Sequence, residues 1–197
     1  MTNDGVVLSD KQKKFRQIIK FLELIESVAE NIPEDGNIVD FGCGKSYLTF
    51  AMYYYFNEIL GKNISFTGLD LKSDVVSHCN GIAKELKYDR LNFFCNDING
   101  YEYDKKVDMI VTLHACDTAT DYALYFAIKN NVKNILSVPC CQHELFYQVS
   151  NDVMKPMLKH GIRKERFSAL LTDSVRGLLL EACGYRVNIM EFVDMEH

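Results

Sequence analysis

The sequence predicts an α/β fold with a doubly wound, mostly parallel sheet. Short apolar runs alternate with stretches of helical periodicity along most of the chain. Such alternation favours parallel strands joined by right-handed helical crossovers, with helices covering both faces of the sheet. The first apolar run, Ile38-Val39, ends at Asp40 and precedes Gly42 and Gly44. A strand, a glycine-rich turn and a helix therefore form the first unit of the fold.

Length and charge narrow the classes of protein to consider. The length of 197 residues predicts a single domain over residues 1–197. The net charge of -5 predicts no global attraction to nucleic acid, although a local basic patch is compatible with this net charge. The apolar runs are too short for a membrane span, and no signal peptide is visible. Seven cysteines, an odd number, favour reduced thiols over a disulfide framework. We therefore predict a cytoplasmic protein without a membrane partner.

An N-terminal helix is predicted at about residues 9–32, because apolar residues recur at helical spacing and Ser9 with Gln12 fits a capping box. The basic residues near its start, Lys13, Lys14 and Arg16 among them, are interpreted as a solvated face. Further strands are predicted at 64–70, 91–97, 107–113, 134–138 and 185–193, and further helices at 46–60, 73–86, 118–129 and 173–182.

Two departures from this rhythm predict how the domain differs from a regular α/β unit. Residues 142–171, approximately, lack it over a length that favours a helical insertion or a lid. The chain also stops where a partner for the strand at 185–193 is expected. We therefore predict a sheet that lacks its last edge strand, and a fragment of a longer protein with an additional domain.

The glycine loop is compared with three nucleotide-binding motifs. Gly44-Lys45-Ser46 matches the end of a phosphate-binding P-loop, but that motif requires glycine at position 39, where the chain has Val39. A dinucleotide-binding loop requires glycine at position 47, which is Tyr47. The remaining pattern, Asp-x-Gly-x-Gly, is that of loops that hold the amino-acid end of S-adenosylmethionine (SAM).

Three acids follow three successive predicted strands, and their positions favour a SAM site over the other nucleotide-binding sites. Asp40, Asp70 and Asp97 lie at or just after the strand ends, which is the edge where open α/β sheets bind ligands. Asp70 suits a ribose diol and Asp97 the adenine amine, with Ile98 as an apolar wall. Asp40 is expected to orient the loop or to face the cofactor's positive end. A single aspartate would more often start a turn, but three in register predict a SAM site. The predicted cofactor-binding residues are Asp40, Gly42, Cys43, Gly44, Asp70, Leu71, Asp97, Ile98 and Leu113.

Three segments of the chain, 39–49, 113–121 and 138–145, resemble a known family. They are similar to class I SAM-dependent methyltransferase domains related to the glutathione-S-transferase C-terminal-domain-containing proteins, and the resemblance extends over roughly residues 10–197. The Cys-Cys-x-His piece is also similar to a stretch in tRNA ribose methyltransferases. The resemblance implies a Rossmann-like fold, a SAM site at the residues above and RNA as the substrate class. Ser46 departs from the third glycine common in such loops.

The ends of the fourth and fifth predicted strands bring candidate catalytic residues to the other side of the cleft. Histidines and an acid there suit orientation or deprotonation of the methyl acceptor. A cysteine nucleophile, as in pyrimidine-C5 RNA methyltransferases, is a second hypothesis. Zinc binding by His-x-Cys and Cys-Cys-x-His is a third, but adjacent cysteines diverge and Cys-x-x-Cys is absent, so no metal site is predicted. The candidate catalytic residues are His114, Asp117, Cys140, Cys141 and His143.

A local basic segment is compatible with RNA, the substrate class that the resemblance implies. Five basic residues lie between positions 155 and 166 against the single acid Glu165, and such an excess can follow phosphates or simply form a solvated face. We predict a SAM-dependent methyltransferase acting on RNA. A catalytically silent SAM-binding module and a methyltransferase acting on a small molecule or protein are the alternatives. The predicted RNA-contacting residues are Lys155, Lys159, Arg163, Lys164 and Arg166.

Overall fold

The computed structural model describes residues 12–113, 115–139 and 142–190, and its centre is a parallel sheet. Its strands are β1 Asn37–Phe41, β2 Ser65–Asp70, β3 Leu91–Cys95, β4 Met109–Thr112 and β5 Asn134–Ser137. They stand in the order β3-β2-β1-β4-β5, so the order reverses between β1 and β4. This order confirms the predicted doubly wound α/β fold, and ligands of such sheets bind where the order reverses.

Helices connect or flank these strands in the described part of the chain. The first helix is described from Gln12 onward, so the predicted cap at Ser9 lies outside the described residues. The helix predicted at 118–129 has the predicted bounds. A π-helical segment, Tyr54–Ile59, continues the second helix. The helix bounds are α1 Gln12–Ala29, α2 Tyr47–Tyr53, α3 Ser73–Glu85, α4 Thr118–Lys129, α5 His143–Gln148, α6 Lys155–Leu158 and α7 Gly161–Ala182.

Apolar side chains cover both faces of the sheet, as expected for parallel strands. Along β1, Ile38 packs into the cluster that includes α1, α2 and α3, whereas Val39 and Phe41 pack into the cluster with α4. In β2, Gly68 stands opposite Asp40 of β1, and a Cβ at Gly68 would overlap the ring of Phe93. The glycine therefore lets β2 and β3 pack closely beneath the site described below.

The predicted strand at 185–193 is wrong over its described part, because residues 185–190 form no regular structure. Their apolar members lie on α7 instead: a Cβ on Gly177 would be 3.4 Å from Ile189 Cδ1 and 3.7 Å from Val187 Cγ1. The hydroxyl of Tyr185 donates to the carbonyls of Val132 at 2.9 Å and Ala127 at 3.3 Å. The segment thus lies beside α7 without pairing as a strand, and Ile189 remains 69% exposed. Residues 191–193 lie outside the described residues.

The predicted boundary at residue 171 is also wrong. Helix α7 runs without a break from Gly161 to Ala182, and the helix predicted at 173–182 is only its second half. Its first half was not predicted because charged residues there obscure the apolar periodicity. The predicted C-terminal glycine is confirmed, since Gly184 has φ 91° and its N–H donates to Glu181 O, while Tyr185 N–H donates to Leu180 O. None of the described helices is long and apolar enough to cross a membrane.

Candidate cofactor and acceptor site

The glycine loop between β1 and α2 is tied to the neighbouring strand β2. The N–H groups of Gly42 and Cys43 both donate to Leu69 O, at 2.9 and 3.0 Å. Positive φ values recur at alternate positions, 71° at Gly42, 53° at Gly44 and 56° at Ser46. A Cβ at Gly44 would meet no protein atom within 4 Å, so this side of the loop faces open space. The loop therefore allows a ligand to approach its backbone closely.

Ser46 occupies the position where the sequence departs from the family pattern. It is buried and adopts a left-handed conformation, φ 56° and ψ 24°. Its hydroxyl donates to Gly44 O at 3.1 Å, and its N–H donates to Cys43 O at 2.8 Å. The serine thus has the backbone conformation that a third glycine would adopt at lower steric cost.

Asp40 is buried beneath the loop, with 3% of its surface exposed. Its Oδ2 accepts a hydrogen bond of 2.6 Å from Thr49 Oγ1 of α2. Burial raises the pKa of Asp40 to about 7, the Thr49 hydrogen bond lowers it, and the nearby Asp70 carboxylate raises it. The contact with α2 agrees with the predicted role of Asp40 in orienting the loop.

Asp70 holds the loop from the end of β2. Its Oδ2 accepts from Gly44 N–H at 2.9 Å, and its Oδ1 accepts from Lys72 N–H at 3.0 Å. Each carboxylate oxygen can accept more than one hydrogen bond, so the pair can still receive two ribose hydroxyls. The contact with Gly44 is a second role that the sequence did not predict. The ribose contact remains a prediction.

The predicted adenine side of the site is more open. Asp97 is exposed, and its Oδ1 accepts from Asn99 N–H at 2.9 Å. Ile98 is half-buried and lines a cleft of about 350 Å³ together with Tyr101 and Tyr122. Leu71 is 69% exposed, so its side chain is available to an adenine ring. These placements are compatible with the predicted adenine contacts.

A small cavity marks the predicted methionine end of the cofactor. Its volume is about 10 Å³, and Lys14 of α1 lines it together with residues of the loop region. The lysine Nζ lies 4.9 Å from the centroid of the Tyr47 ring. Lys14 is half-buried, so its interpretation as part of a solvated face is wrong. The loop-side residues that line the cavity are Asp40, Gly42, Cys43, Ser46, Tyr47, Leu48 and Leu113.

Cys43 lies in the loop but is not a reactive thiol. It is buried, and this burial raises its pKa well above the usual range, with the carboxylates of Asp40 and Asp70 raising it further. A thiol in this state stays protonated at neutral pH and acts as a small apolar group. Cys43 therefore contributes backbone and packing to the predicted SAM site.

The ends of β4 and β5 emerge side by side, as predicted. Thr112 pairs with Ser137, their hydroxyls lie 2.8 Å apart, and Val138 N–H donates to Thr112 O at 2.8 Å. The loops that follow therefore open onto the same edge of the sheet as the glycine loop. Of the candidate catalytic residues, His114, Cys140 and Cys141 lie outside the described residues.

Asp117 and the start of α5 form the described part of the acceptor side. Asp117 precedes α4 with φ 54° and ψ −125°, and its Oδ1 accepts from Glu144 N–H at 3.2 Å. His143, the first residue of α5, is exposed beside this contact. The structure thus brings together two of the five candidates. Among the described residues, no group of three or more His, Cys, Asp or Glu is placed to hold a metal ion.

Arg176 is a residue of this region that the sequence analysis missed. It lies on α7, only 8% exposed, and its guanidinium hydrogen-bonds the Asp121 and Asp173 carboxylates and the Asp117 carbonyl. A single arginine on a predicted helix gives no local signal. Asp121 and Asp117 lie 55 and 59 residues away in sequence, so only the fold reveals these contacts.

The basic residues predicted to contact RNA lie on α6, directly after it at Lys159, and on the first turns of α7. Four of them are exposed. The fifth, Lys164, is half-buried, with its Nζ 5.1 Å from the centroid of the Phe146 ring of α5. We call these residues the basic surface. They are Lys155, Lys159, Arg163, Lys164 and Arg166.

The sheet order, the loop after β1 and the acids after β2 and β3 together define a class I SAM-dependent methyltransferase domain. The chain belongs to the family described as a methyltransferase domain, whose model matches residues 13–148. SAM is the cofactor of this class, as the sequence predicted. The glycine loop, open on one side, and the carboxylates of Asp70 and Asp97 fit this cofactor.

Several solved structures match part of the chain at low identity. A SAM-dependent methyltransferase from Thiobacillus denitrificans, in complex with S-adenosyl-L-homocysteine (SAH), is 21% identical with a TM-score of 0.39, over 48% of this chain and 36% of that one. YjhP from E. coli is 22% identical with a TM-score of 0.45, over 58% and 44%. Coclaurine N-methyltransferase, bound to N-methylheliamine and SAH, is 17% identical with a TM-score of 0.42, over 59% and 30%. The matches span less than half of each of these proteins and carry no information on the substrate. No curated protein matches this sequence.

Proposed function

We propose that this domain transfers a methyl group from SAM to RNA. The observation that carries the substrate class is the position of the basic surface. Lys164 contacts Phe146 of α5. Glu144 of the same helix donates its N–H to Asp117 at the end of the loop that joins β4 to α4, which we call the acceptor loop. One short helix therefore joins the residues suited to phosphates with those suited to the methyl acceptor. The sequence resemblance to RNA methyltransferases supports the same class.

The chain's own residues divide into two groups with different roles. Gly42, Gly44 and Asp70 hold the cofactor, which supplies an electrophilic methyl group on a sulfonium. Transfer is a direct displacement, so most of the acceleration comes from holding the acceptor in line with that methyl group. Asp117 and His143 lie where they orient the acceptor, and histidine suits removal of its proton near neutral pH.

The test offers tritiated SAM to separate pools of RNA, protein and small metabolites. We expect label in the RNA pool, and we expect Asp70→Ala to abolish it because that change removes the carboxylate that holds Gly44. Label confined to protein or metabolites would favour the alternative acceptors. Label in no pool, together with tight SAH binding, would favour a silent SAM-binding module.

Calorimetry with SAH separates cofactor binding from catalysis. We expect Asp70→Ala to weaken SAH binding by at least about tenfold, because hydrogen bonds to a charged group are among the strong ones. Asp89→Ala, at an exposed position before β3, is the matched control and leaves the affinity unchanged. Equal affinities of the wild type and Asp70→Ala would contradict the SAM site.

A further inference from the structure

We propose that Arg176 is a positioning residue for methyl transfer, which fixes the acceptor loop against the segment that opens α5. The inference rests on the proposed methyltransferase activity and adds to it a residue that touches neither cofactor nor acceptor. Arg176 lies on α7, remote in sequence from both segments that it joins.

The first contact is a bidentate ion pair with α4. Arg176 Nε donates to Asp121 Oδ1 at 2.7 Å, and Nη2 donates to Asp121 Oδ2 at 2.8 Å. A guanidinium and a carboxylate paired in this way have a fixed relative orientation, which a lysine cannot reproduce. Asp121 lies in the first turn of α4, directly after the acceptor loop. The pair therefore fixes the start of this helix relative to α7.

The second contact is with the acceptor loop itself. Arg176 Nη2 also donates to the backbone carbonyl of Asp117 at 2.9 Å. Asp117 has φ 54° and ψ −125°, a backbone conformation that residues other than glycine rarely adopt without support from their surroundings. The arginine holds the carbonyl of this residue while Glu144 N–H holds its carboxylate. The backbone carbonyl and the side-chain carboxylate of Asp117 are thus both fixed by groups from outside its loop.

The third contact extends to the segment after β5. Arg176 Nη1 donates to Asp173 Oδ1 at 3.2 Å, one turn earlier on α7. The side-chain amide of Gln142 donates to both oxygens of the same Asp173, at 3.2 and 3.1 Å. Gln142 is adjacent to Cys141 and His143 in sequence. The contacts of Arg176, direct or through Asp173, therefore reach both segments that carry the candidate catalytic residues.

The geometry of Arg176 favours a positioning role in addition to a stabilising one. Arg176 is 8% exposed and its partner Asp121 is 50% exposed, and the loss of one partner from such a partly buried pair also lowers stability. Burial lowers the pKa of Arg176, but the hydrogen bonds and charges of Asp121 and Asp173 raise it above the ordinary value. The side chain is thus always charged, and two of its directional contacts, with the Asp121 carboxylate and the Asp117 carbonyl, hold the acceptor loop and the helix that follows it.

The test compares Arg176→Gln and Arg176→Lys with Arg186→Gln, a control at an exposed arginine on the segment after α7. We expect both Arg176 variants to bind SAH within about twofold of the wild type and to keep its KM for SAM. The kcat for methyl transfer to RNA should fall by at least about tenfold, because small displacements of positioned groups have large effects on rate. Asp121→Asn, which keeps the buried arginine, should show the same split more weakly.

Hydrogen exchange gives a readout that does not need activity. In the Arg176 variants, with SAH bound, we expect faster exchange over 115–121 and 142–148 and unchanged exchange in the five strands. If the wild type methylates no pool, the proposed function fails, and the exchange measurement alone decides whether Arg176 fixes these segments.

Three results would overturn the proposal. One is unchanged kcat in both Arg176 variants. Another is a loss of SAH affinity in proportion to the loss of activity, which would indicate general damage to the domain. The third is exchange that stays unchanged in both segments or rises across the whole sheet.

Discussion

Ser46 is the residue at which the loop departs from its expected composition while keeping the expected backbone. Its φ of 56° and ψ of 24° belong to a conformation that costs an L-residue about 1 kcal/mol. Glycine avoids this cost but loses more backbone entropy on folding. The two effects are of similar size and opposite sign, so the position should accept glycine.

We therefore expect Ser46→Gly to change the free energy of unfolding by less than about 0.5 kcal/mol. Ser46→Val should lower it by about 2 kcal/mol or more, because a β-branched residue is strained at positive φ and this site is buried. Urea denaturation measures both. At Ser77, exposed within α3, the ranking should reverse, since glycine is the poorer helix former. Equal effects of valine and glycine at position 46 would contradict the left-handed conformation.

Asp40 should make stability depend on pH in the direction opposite to that of a salt-bridged acid. The pKa of Asp40 is about 7 in the folded protein, and the ordinary pKa of an aspartate, 3.8, applies to the unfolded chain. Between these two pH values the folded state therefore binds more protons than the unfolded state. The contribution of Asp40 to stability therefore decreases as the pH rises from about 4 to about 7 and is constant outside this window. We expect Asp40→Asn to remove this decrease, which amounts to a few kcal/mol.

Urea denaturation at several pH values from 4 to 8 measures this effect. The difference in unfolding free energy between Asp40→Asn and wild type should grow in favour of the variant as the pH rises. Asp35→Asn, at an exposed position before β1, is the matched control and should show no such trend. A difference that stays constant with pH would contradict the buried, proton-retaining carboxylate.

At the scale of single residues, local motifs named candidates on both sides of the site but not the contacts that join them. Gly42, Gly44 and Asp70 were predicted because a strand, a loop and an acid are signals contained in a few neighbouring residues. The contact between Asp70 and Gly44 N–H follows from strand pairing, which a motif does not describe. Arg176 was missed for a stronger reason, because its role depends on the packing of α7 against the start of α4.

At the scale of elements, the strands and the helices among them were predicted well, and the segments after β5 were not. Parallel strands buried on both faces give apolar runs that are visible in sequence. The segment 185–190 alternates apolar and polar residues as a strand would, but Val187 and Ile189 pack near Gly177 of α7. Alternation alone therefore does not identify a strand, because Ile189 remains 69% exposed although it lies beside a helix.

The outer edge of β3 is protected by a side chain from α3. Asn80 Nδ2 donates to Phe93 O at 2.8 Å, and Phe93 N–H donates to Asn80 Oδ1 at 2.9 Å. The side-chain amide thus pairs with the backbone of an edge strand where another strand would otherwise bind. We expect Asn80→Ala to lower the free energy of unfolding by about 1–3 kcal/mol, because it leaves both backbone groups of Phe93 without these partners.

Urea denaturation and light scattering check this prediction. Asn92→Ala, an exposed position on the same strand, is the matched control and should change stability by less than about 0.5 kcal/mol. The Asn80 variant should also associate more readily on warming, since its edge is less protected. Equal stability of the two variants would show that Asn80 does not protect the strand.

At the scale of the whole molecule, charge is distributed unevenly. The chain carries a net charge of -5, yet the basic surface on α6 and α7 holds five positive residues beside the acceptor side. An acidic body weakens non-specific attraction to RNA, so a small basic surface would carry most of the phosphate contacts. Salt dependence of RNA binding is then a direct measure of those contacts.

We expect the double variant Arg163→Gln, Arg166→Gln to bind single-stranded RNA more weakly at low salt and with a smaller salt dependence. Each lost phosphate contact lowers the slope of log K against log salt by about 0.7, so two contacts lower it by about 1.4. Fluorescence anisotropy of a labelled oligonucleotide between 50 and 200 mM salt, roughly the range over which such contacts are read out, measures the slope.

The control for this change is Lys84→Gln, Lys133→Gln, which removes the same charge from exposed positions on α3 and before β5. If the basic surface contacts phosphates, the control lowers the slope by less than the Arg163, Arg166 variant, and both variants bind SAH as the wild type does. Equal slopes for the two double variants would mean that RNA responds only to net charge. In that case the acceptor class would be decided by the labelled-methyl experiment.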